Sequence, residues 1–481
     1  MPKIAMIGAG SATFSRRLMS DLLTWPALEN SEFALMDPNT ERLELIGALA
    51  QKMIERRGTG AHAWTTTDRK AALDGADYVV TTLAIGYAYE NDRPDVAIPR
   101  KYGLYQTVAD TIGVGGVFRY LRTMPAMLEI GEDMARLCPQ ALWLNYVNPM
   151  NMIMWTLAEA LPLLRAVGLC HSVQGTADRL ASFVGVDKDD VAYWVAGINH
   201  QAWFLELRRG SYRGEDLYPK LRLAMDDPEI YAKDRVRFEV LRHFGYFVTE
   251  SSRHMSEYVP WFRRTEEDRE RYTPSTTMPE WMRAESLNRQ GGQLAAVPVR
   301  RAEVWASIKK QIAGEEPIDF KRSREYCSYI INAVETNTPF RFNGNVPNTG
   351  LITNLPPRCN VEVPILVDNA GLHPCHVGDL PSQLAAINRT NVNVQELAVK
   401  GFLNRDREAI YQACLVDPLA SATVRLSDMR PMVDELFEAN ARWLDPWFGS
   451  RLTGNRRATD TSRSEAAGSA TEGNEPAVAT A

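Results

Sequence analysis

What the chain has little of narrows its class first. Its 481 residues include six cysteines, Cys138, Cys170, Cys327, Cys359, Cys375 and Cys414, scattered without C-x-x-C spacing, which argues against a disulfide framework and fits a reducing cytoplasm. There is no excess of positive charge: 54 Lys and Arg stand against 60 Asp and Glu, a net charge of −6. Nucleic acid and an anionic membrane surface are therefore not the expected partners. Uninterrupted apolar runs are also missing. The most apolar stretch, Met150 to Leu169, is broken by Asn151, Glu159, Pro162 and Arg165, so it reads as a buried helix and a following strand rather than a membrane span. No signal peptide precedes the first strand and no internal repeat is visible. The expectation is a soluble cytoplasmic protein, long enough for two or three domains, whose 45% hydrophobic content supports a sizeable core.

The chain opens with Lys3-Ile4-Ala5-Met6-Ile7-Gly8-Ala9-Gly10-Ser11, a short apolar run entering a glycine turn that starts an amphipathic helix through Leu18, Leu22 and Leu23. This is the form of a pyrophosphate cradle built on backbone amides and a helix N-terminus. Gly8, Ala9, Gly10 and Ser11 are its candidate residues, although Thr13 stands where a third glycine is expected. A second apolar run, Phe33 to Met36, ends in Asp37, an acid placed to accept from a ribose and to favour NAD over NADP. An ordinary strand-to-helix turn is the alternative. The next strand, Ala76 to Leu83, ends in Thr82 and Leu83, candidate walls of the same cleft.

Alternating strand and helix patterns then predict a doubly wound parallel sheet. Tyr102 to Gly116 reads as a glycine-rich loop, either against a ligand or as a plain connector. The strand Ala141 to Val147 ends at Asn148-Pro149, where the amide could face the cleft or merely form a turn. Two more strand ends deliver Cys170-His171 and Asn199-His200. If they converge, Cys170 and His200 could share a divalent metal; the alternative is inert packing. Val248 to Phe262 mixes Glu, Arg and His with aromatics, as a carbohydrate site or a helix end would. Further on, Phe342 to Gly350 is turn-rich, and Asn360 to Val367 resembles a strand. The stretch after about Asn455 is too polar to bury a core and is expected to be disordered.

Taken together, Ile7 to Ser11, Asp110-Thr111, Arg119 to Thr123, Asn145 to Pro149, Gly168 to Thr176, Gly197 to His200, Gly245 to Phe262, Asn354-Leu355-Pro356 and Asn391 to Gln395 resemble glycoside hydrolase family 4, the NAD- and Mn²⁺-dependent glycosidases, and within it the α-galactosidases of bacterial melibiose metabolism. The resemblance implies an N-terminal Rossmann domain like that of lactate and malate dehydrogenases (1–195), a C-terminal mixed α/β substrate and oligomerisation domain (196–452) and a tail (453–481). It implies hydrolysis of an α-galactoside by oxidation at C3, deprotonation at C2, elimination and addition of water, a departure from the two-carboxylate scheme of most glycosidases.

Matched by motif, the resemblance makes Cys170 and His200 metal ligands and Asn148 and Asn199 substrate neighbours. It makes Tyr258 the C2 base, needing a cation such as Arg253, Arg263 or the metal to lower its pKa. His171 is the group assisting the leaving group. Thiolate and imidazole alone suit Zn²⁺ or Fe²⁺, whereas the resemblance implies manganese. A homodimer or homotetramer is expected. Competing readings are an α-glucosidase, α-glucuronidase or α-galacturonidase of the same family, a lactate- or malate-type dehydrogenase, and a redox sensor using Cys170.

Overall fold

The computed structural model describes residues 1–86, 94–274 and 296–449. The expected tail at 453–481 lies outside them. Among the described residues eleven strands form one sheet: β1 (Lys3–Ile7), β2 (Glu32–Met36), β3 (His62–Thr66), β4 (Tyr78–Thr81), β5 (Leu142–Asn145), β6 (Arg165–Gly168), β7 (Val191–Ile198), β8 (Gln201–Arg209), β9 (Phe340–Pro347), β10 (Asn360–Asp368) and β11 (Gly371–Pro374). The first six run parallel in the order β3-β2-β1-β4-β5-β6, that of a Rossmann domain. Their central members are buried on both faces, which is why β1, β4 and β5 read as continuous apolar runs rather than alternating ones.

Beyond β6 the sheet continues antiparallel through β9, β10, β7 and β8. Two strands from late in the chain therefore sit between β6 and β7. The turn-rich reading of Phe342 to Gly350 is corrected here, because β9 occupies most of that stretch. Its polar residues serve the sheet: Asn343 donates to the Val195 carbonyl at 2.9 Å and Asn345 to the Gly168 carbonyl at 3.2 Å. Gly344 fits where a Cβ would fall 2.8 Å from Ile365, Phe342 and Val167 side chains.

The glycine-rich loop also ends earlier than its composition predicts. A helix spans Gly113–Leu137, and its opening glycines are required by packing rather than by turn formation. A Cβ on Gly115 would lie 2.7 Å from the Ala109 Cβ, and one on Gly116 2.8 Å from the Thr111 carbonyl carbon. The loop before the helix is thus pressed against the helix's own first turn. The long helix Ser382–Leu403 packs on Met150–Ala160 and Gly113–Leu137, joining the late chain to the first half. Among the described residues no helix is long and apolar enough to cross a membrane, and all six cysteines are free.

Candidate active site

Two regions stand at the carboxyl ends of the parallel strands. In the first, β1 runs into the glycine turn and the amides of Gly8 and Ala9 both donate to the Met36 carbonyl at 2.9 Å. Gly8 has φ +90°, and a Cβ there would sit 2.7 Å from the Leu83 amide nitrogen. A Cβ on Gly10 would sit 2.7 Å from the Asp37 carboxylate. Asp37 accepts from the Gly10 amide and from the Asn39 amide, both at 2.9 Å. The Thr82 hydroxyl donates to the Gly8 carbonyl at 3.0 Å. Gly8, Ala9, Gly10, Ser11, Asp37, Thr82 and Leu83 thus form one bare backbone cradle at the start of the helix Ala12–Leu22, the shape a dinucleotide pyrophosphate requires.

The second region begins where β6 ends. Cys170 follows β6 by two residues, and His200 is the second residue of the two-residue turn between β7 and β8. His200 has φ +63°, an uncommon conformation for a residue with a Cβ, costing on the order of 1–3 kcal/mol and found where a site demands it. The turn brings His200 Nε2 to 3.2 Å from Cys170 Sγ.

A third group joins them. The segment 247–249 lies along the start of β8, with Phe204 donating to the Phe247 carbonyl at 2.9 Å and Thr249 to the Ala202 carbonyl at 2.8 Å. Glu250, at φ +74°, then turns inward. Its carboxylate stands 3.5 Å from His200 Nε2. Sulfur, imidazole nitrogen and carboxylate oxygen all lie within 4.8 Å of one another. That donor set suits a divalent cation, and the added hard oxygen moves the preference from zinc towards manganese. Burial alone would raise the Glu250 carboxyl, but His200, His254 and His171 outweigh it and hold it at about 2. Burial pushes the Cys170 thiol up to about 12, so a cation must displace its proton.

The short helix Ser252–Tyr258 covers this cluster. Tyr258 is fully buried, with its hydroxyl 3.3 Å from His200 Nδ1 and the Thr111 side chain nearby. His254 Nδ1 lies 3.5 Å from Glu250 and 2.9 Å from the Ser251 hydroxyl. Burial holds Tyr258 well above 10, and the carboxylates of Glu257, Asp110 and Glu250 add to the shift. The expectation that Arg253 or Arg263 lowers it is corrected. Arg263 is instead spent on the Tyr105 carbonyl at 2.6 Å and on Thr273 at 3.0 Å, and a buried nitrogen of Arg253 has no hydrogen-bond partner. Were His200 to hold a cation through Nε2, its proton would stay on Nδ1, 3.3 Å from the tyrosine oxygen, where it would donate and favour the phenolate.

The other expected residues fall around this centre. Asn199 precedes His200 and is fully buried, and neither atom of its side-chain amide has a hydrogen-bond partner. Asn148 is half-buried, with its side-chain oxygen Oδ1 accepting from the Met150 amide at 3.1 Å. His171 is 59% exposed at the start of the helix Ser172–Val184, 3.8 Å from Glu325. Sequence reasoning gave no role to Glu250 or to Glu362. Glu362, on β10, is buried with both carboxyl oxygens unpartnered. Burial, and secondarily Glu250, push it up to about 8 against the pull of His200. No spacing signals either acid, because each arrives through tertiary packing.

Comparison with known proteins matches this architecture. Residues 3–186 match the profile of the family 4 glycosyl hydrolases, and residues 195–420 that of the family's C-terminal domain. The chain is 40% identical over 445 residues to an α-galactosidase of Bacillus subtilis (strain 168), covering 92% of this chain and 99% of the relative. It is 35% identical over 447 residues to an α-galactosidase of Rhizobium meliloti (strain 1021), covering 92% and 89%. In structure it is similar to a 6-phospho-α-glucosidase from gut microorganisms in complex with NAD and Mn²⁺, with a TM-score of 0.77 at 20% identity over 92% of this chain and 98% of that one. With both profiles matched and two relatives aligned along nearly their whole length, the chain belongs to family 4 of the glycosyl hydrolases.

Proposed function

We propose that this protein hydrolyses α-galactosides by transient oxidation of the sugar, using NAD and a divalent cation of the manganese type. The observation that carries the reading is the thiol, imidazole and carboxylate of Cys170, His200 and Glu250 gathered within 4.8 Å beside a buried tyrosine. The relatives named α-galactosidases support the substrate class. When bound, NAD supplies a hydride acceptor for C3, and the cation supplies Lewis acidity for the sugar oxygens at C2 and C3.

The chain's own residues do the rest. Gly8 to Ser11 and Asp37 hold the dinucleotide, with Thr82 and Leu83 closing its cleft. Once C3 is a ketone the C2 proton is acidic, and Tyr258 removes it. Loss of the C1 substituent follows, assisted by His171, and water adds at C1 before C3 is reduced again. Asn148 and Asn199 hold sugar hydroxyls. Residues 1–195 carry the nucleotide and 196–452 most of the sugar site. We place the enzyme in the cytoplasm as a homodimer or homotetramer, its exposed Leu163, Tyr212, Leu223 and Leu426 being candidates for contact.

A nitrophenyl α-galactoside tests the reading. Nitrophenol release must require both NAD and Mn²⁺, with no net NADH formed. Release that survives removal of either, or steady accumulation of NADH, overturns it. A parallel panel of α-glucoside, α-glucuronide and α-galacturonide fixes the sugar.

A further inference from the structure

Directly before Tyr258 in the chain stands the buried Glu257. Its buried carboxylate accepts three consecutive backbone amides of the glycine-rich loop: Thr107 at 2.7 Å, Val108 at 3.1 Å and Ala109 at 3.0 Å. Ala109 adopts φ +51°, so the amides converge as an anion nest. The loop continues at once into Asp110 and Thr111. The Thr111 hydroxyl donates to Asp110 at 2.9 Å and lies close enough to Tyr258 to favour its phenolate. Asp110 pairs with Arg119 at 3.3 Å and stands 3.8 Å from His254, the neighbour of Glu250. The two groups that the loop presents to the base and to the cation's surroundings are therefore held by the residue adjoining the base.

We infer that Glu257 is a positioning residue, a carboxylate clamp that registers the Asp110-Thr111 loop on Tyr258 and so tunes proton removal at C2. It rests on Tyr258 as the base. Arg263 on the Tyr105 carbonyl, Gln106 on the Asp95 carbonyl and Arg119 on Asp110 hold the loop on either side, and Glu257 holds the three amides between them. A clamped loop keeps Thr111 beside the tyrosine and hydrogen-bonded to Asp110, neighbours through which the phenol proton can leave and return.

The test is Glu257→Gln in the full-length enzyme. The amide nitrogen that replaces one carboxylate oxygen cannot accept, so at least one clamp bond is lost. The expected result is a 10- to 100-fold fall in kcat, little change in NAD or Mn²⁺ affinity, and a larger primary isotope effect on C2-deuterated nitrophenyl α-galactoside with no rise in the C3 effect. Thr111→Val should raise the same isotope effect, and the double variant should be no worse than Glu257→Gln alone. Additive losses, an unchanged C2 effect, or loss of cation binding overturns the inference. Should Glu257→Gln not fold, Glu257→Asp enters the same cycle. Amide hydrogen exchange at 107–109 reads the clamp without any substrate: faster exchange in the variant is expected, and unchanged exchange refutes the clamp even if the sugar has been misassigned.

Discussion

Gly10 and Cys170 show how single positions constrain the chemistry. Adding a methyl group at Gly10 places carbon 2.7 Å from the Asp37 carboxylate, so Gly10→Ala must displace either the turn or the acid. NAD affinity is expected to fall by at least about tenfold, read by fluorescence titration, while the cation site is untouched. Cys170 makes the opposite prediction, about protons. Its thiol, pushed up to about 12 by burial, is protonated at neutral pH in the metal-free protein, so cation binding expels one proton. Affinity for Mn²⁺ should rise about tenfold per pH unit until the thiol ionises unaided. Calorimetry in buffers of different ionisation enthalpy counts that proton. Glu250→Gln should lower Mn²⁺ affinity on the order of 10–100-fold, whereas Tyr258→Phe should leave it near normal and reduce kcat by about 10²–10⁴. Peroxide, by oxidising Cys170, should abolish both binding and activity.

At the scale of elements, β10 carries a buried acid into the centre of the sheet. A glutamate in the unfolded chain titrates near about 4.3, while folded Glu362 is pushed up to about 8. Between those values the folded state binds more protons than the unfolded one, so this residue makes stability fall as pH rises. Glu250, held at about 2, works in the other direction: its contribution is full above about 4.3 and is lost as pH falls towards 2. Metal-free Glu362→Gln should therefore gain stability relative to the natural protein as pH rises from 5 to 8. Urea midpoints at the two pH values check it; equal differences at both would contradict the protonated state of Glu362. The same strand shows why composition misled. The Asn- and Gly-rich stretch beside it reads as turn because Asn and Gly favour turns, yet in β9 the Asn amides find carbonyl partners and Gly344 fills a gap too narrow for a Cβ.

For the whole molecule, the insertion of β9 and β10 between β6 and β7 means that neither half completes its sheet alone. The helices Tyr326–Thr336 and Ser382–Leu403 from the late chain pack on β10 and on the helices of the first half. We expect one cooperative thermal transition, with calorimetric and van't Hoff enthalpies in agreement. Two separable transitions would show that the halves fold independently.

The sequence alone determined what local rules govern. Apolar runs with glycine and an acid at their ends specified the parallel sheet and its cradle, and Cys170 and His200 were visible because each stands where a strand stops. Tertiary structure decided what local rules cannot reach. Glu250 enters the cluster because 247–249 pairs with β8 and the backbone turns left-handed after it. Arg263, one of the cations expected beside Tyr258, binds the Tyr105 carbonyl instead. Glu257 grips a loop 148 to 150 residues away. Such contacts depend on where distant segments meet, and burial then sets the proton affinity of each group according to its neighbours in space.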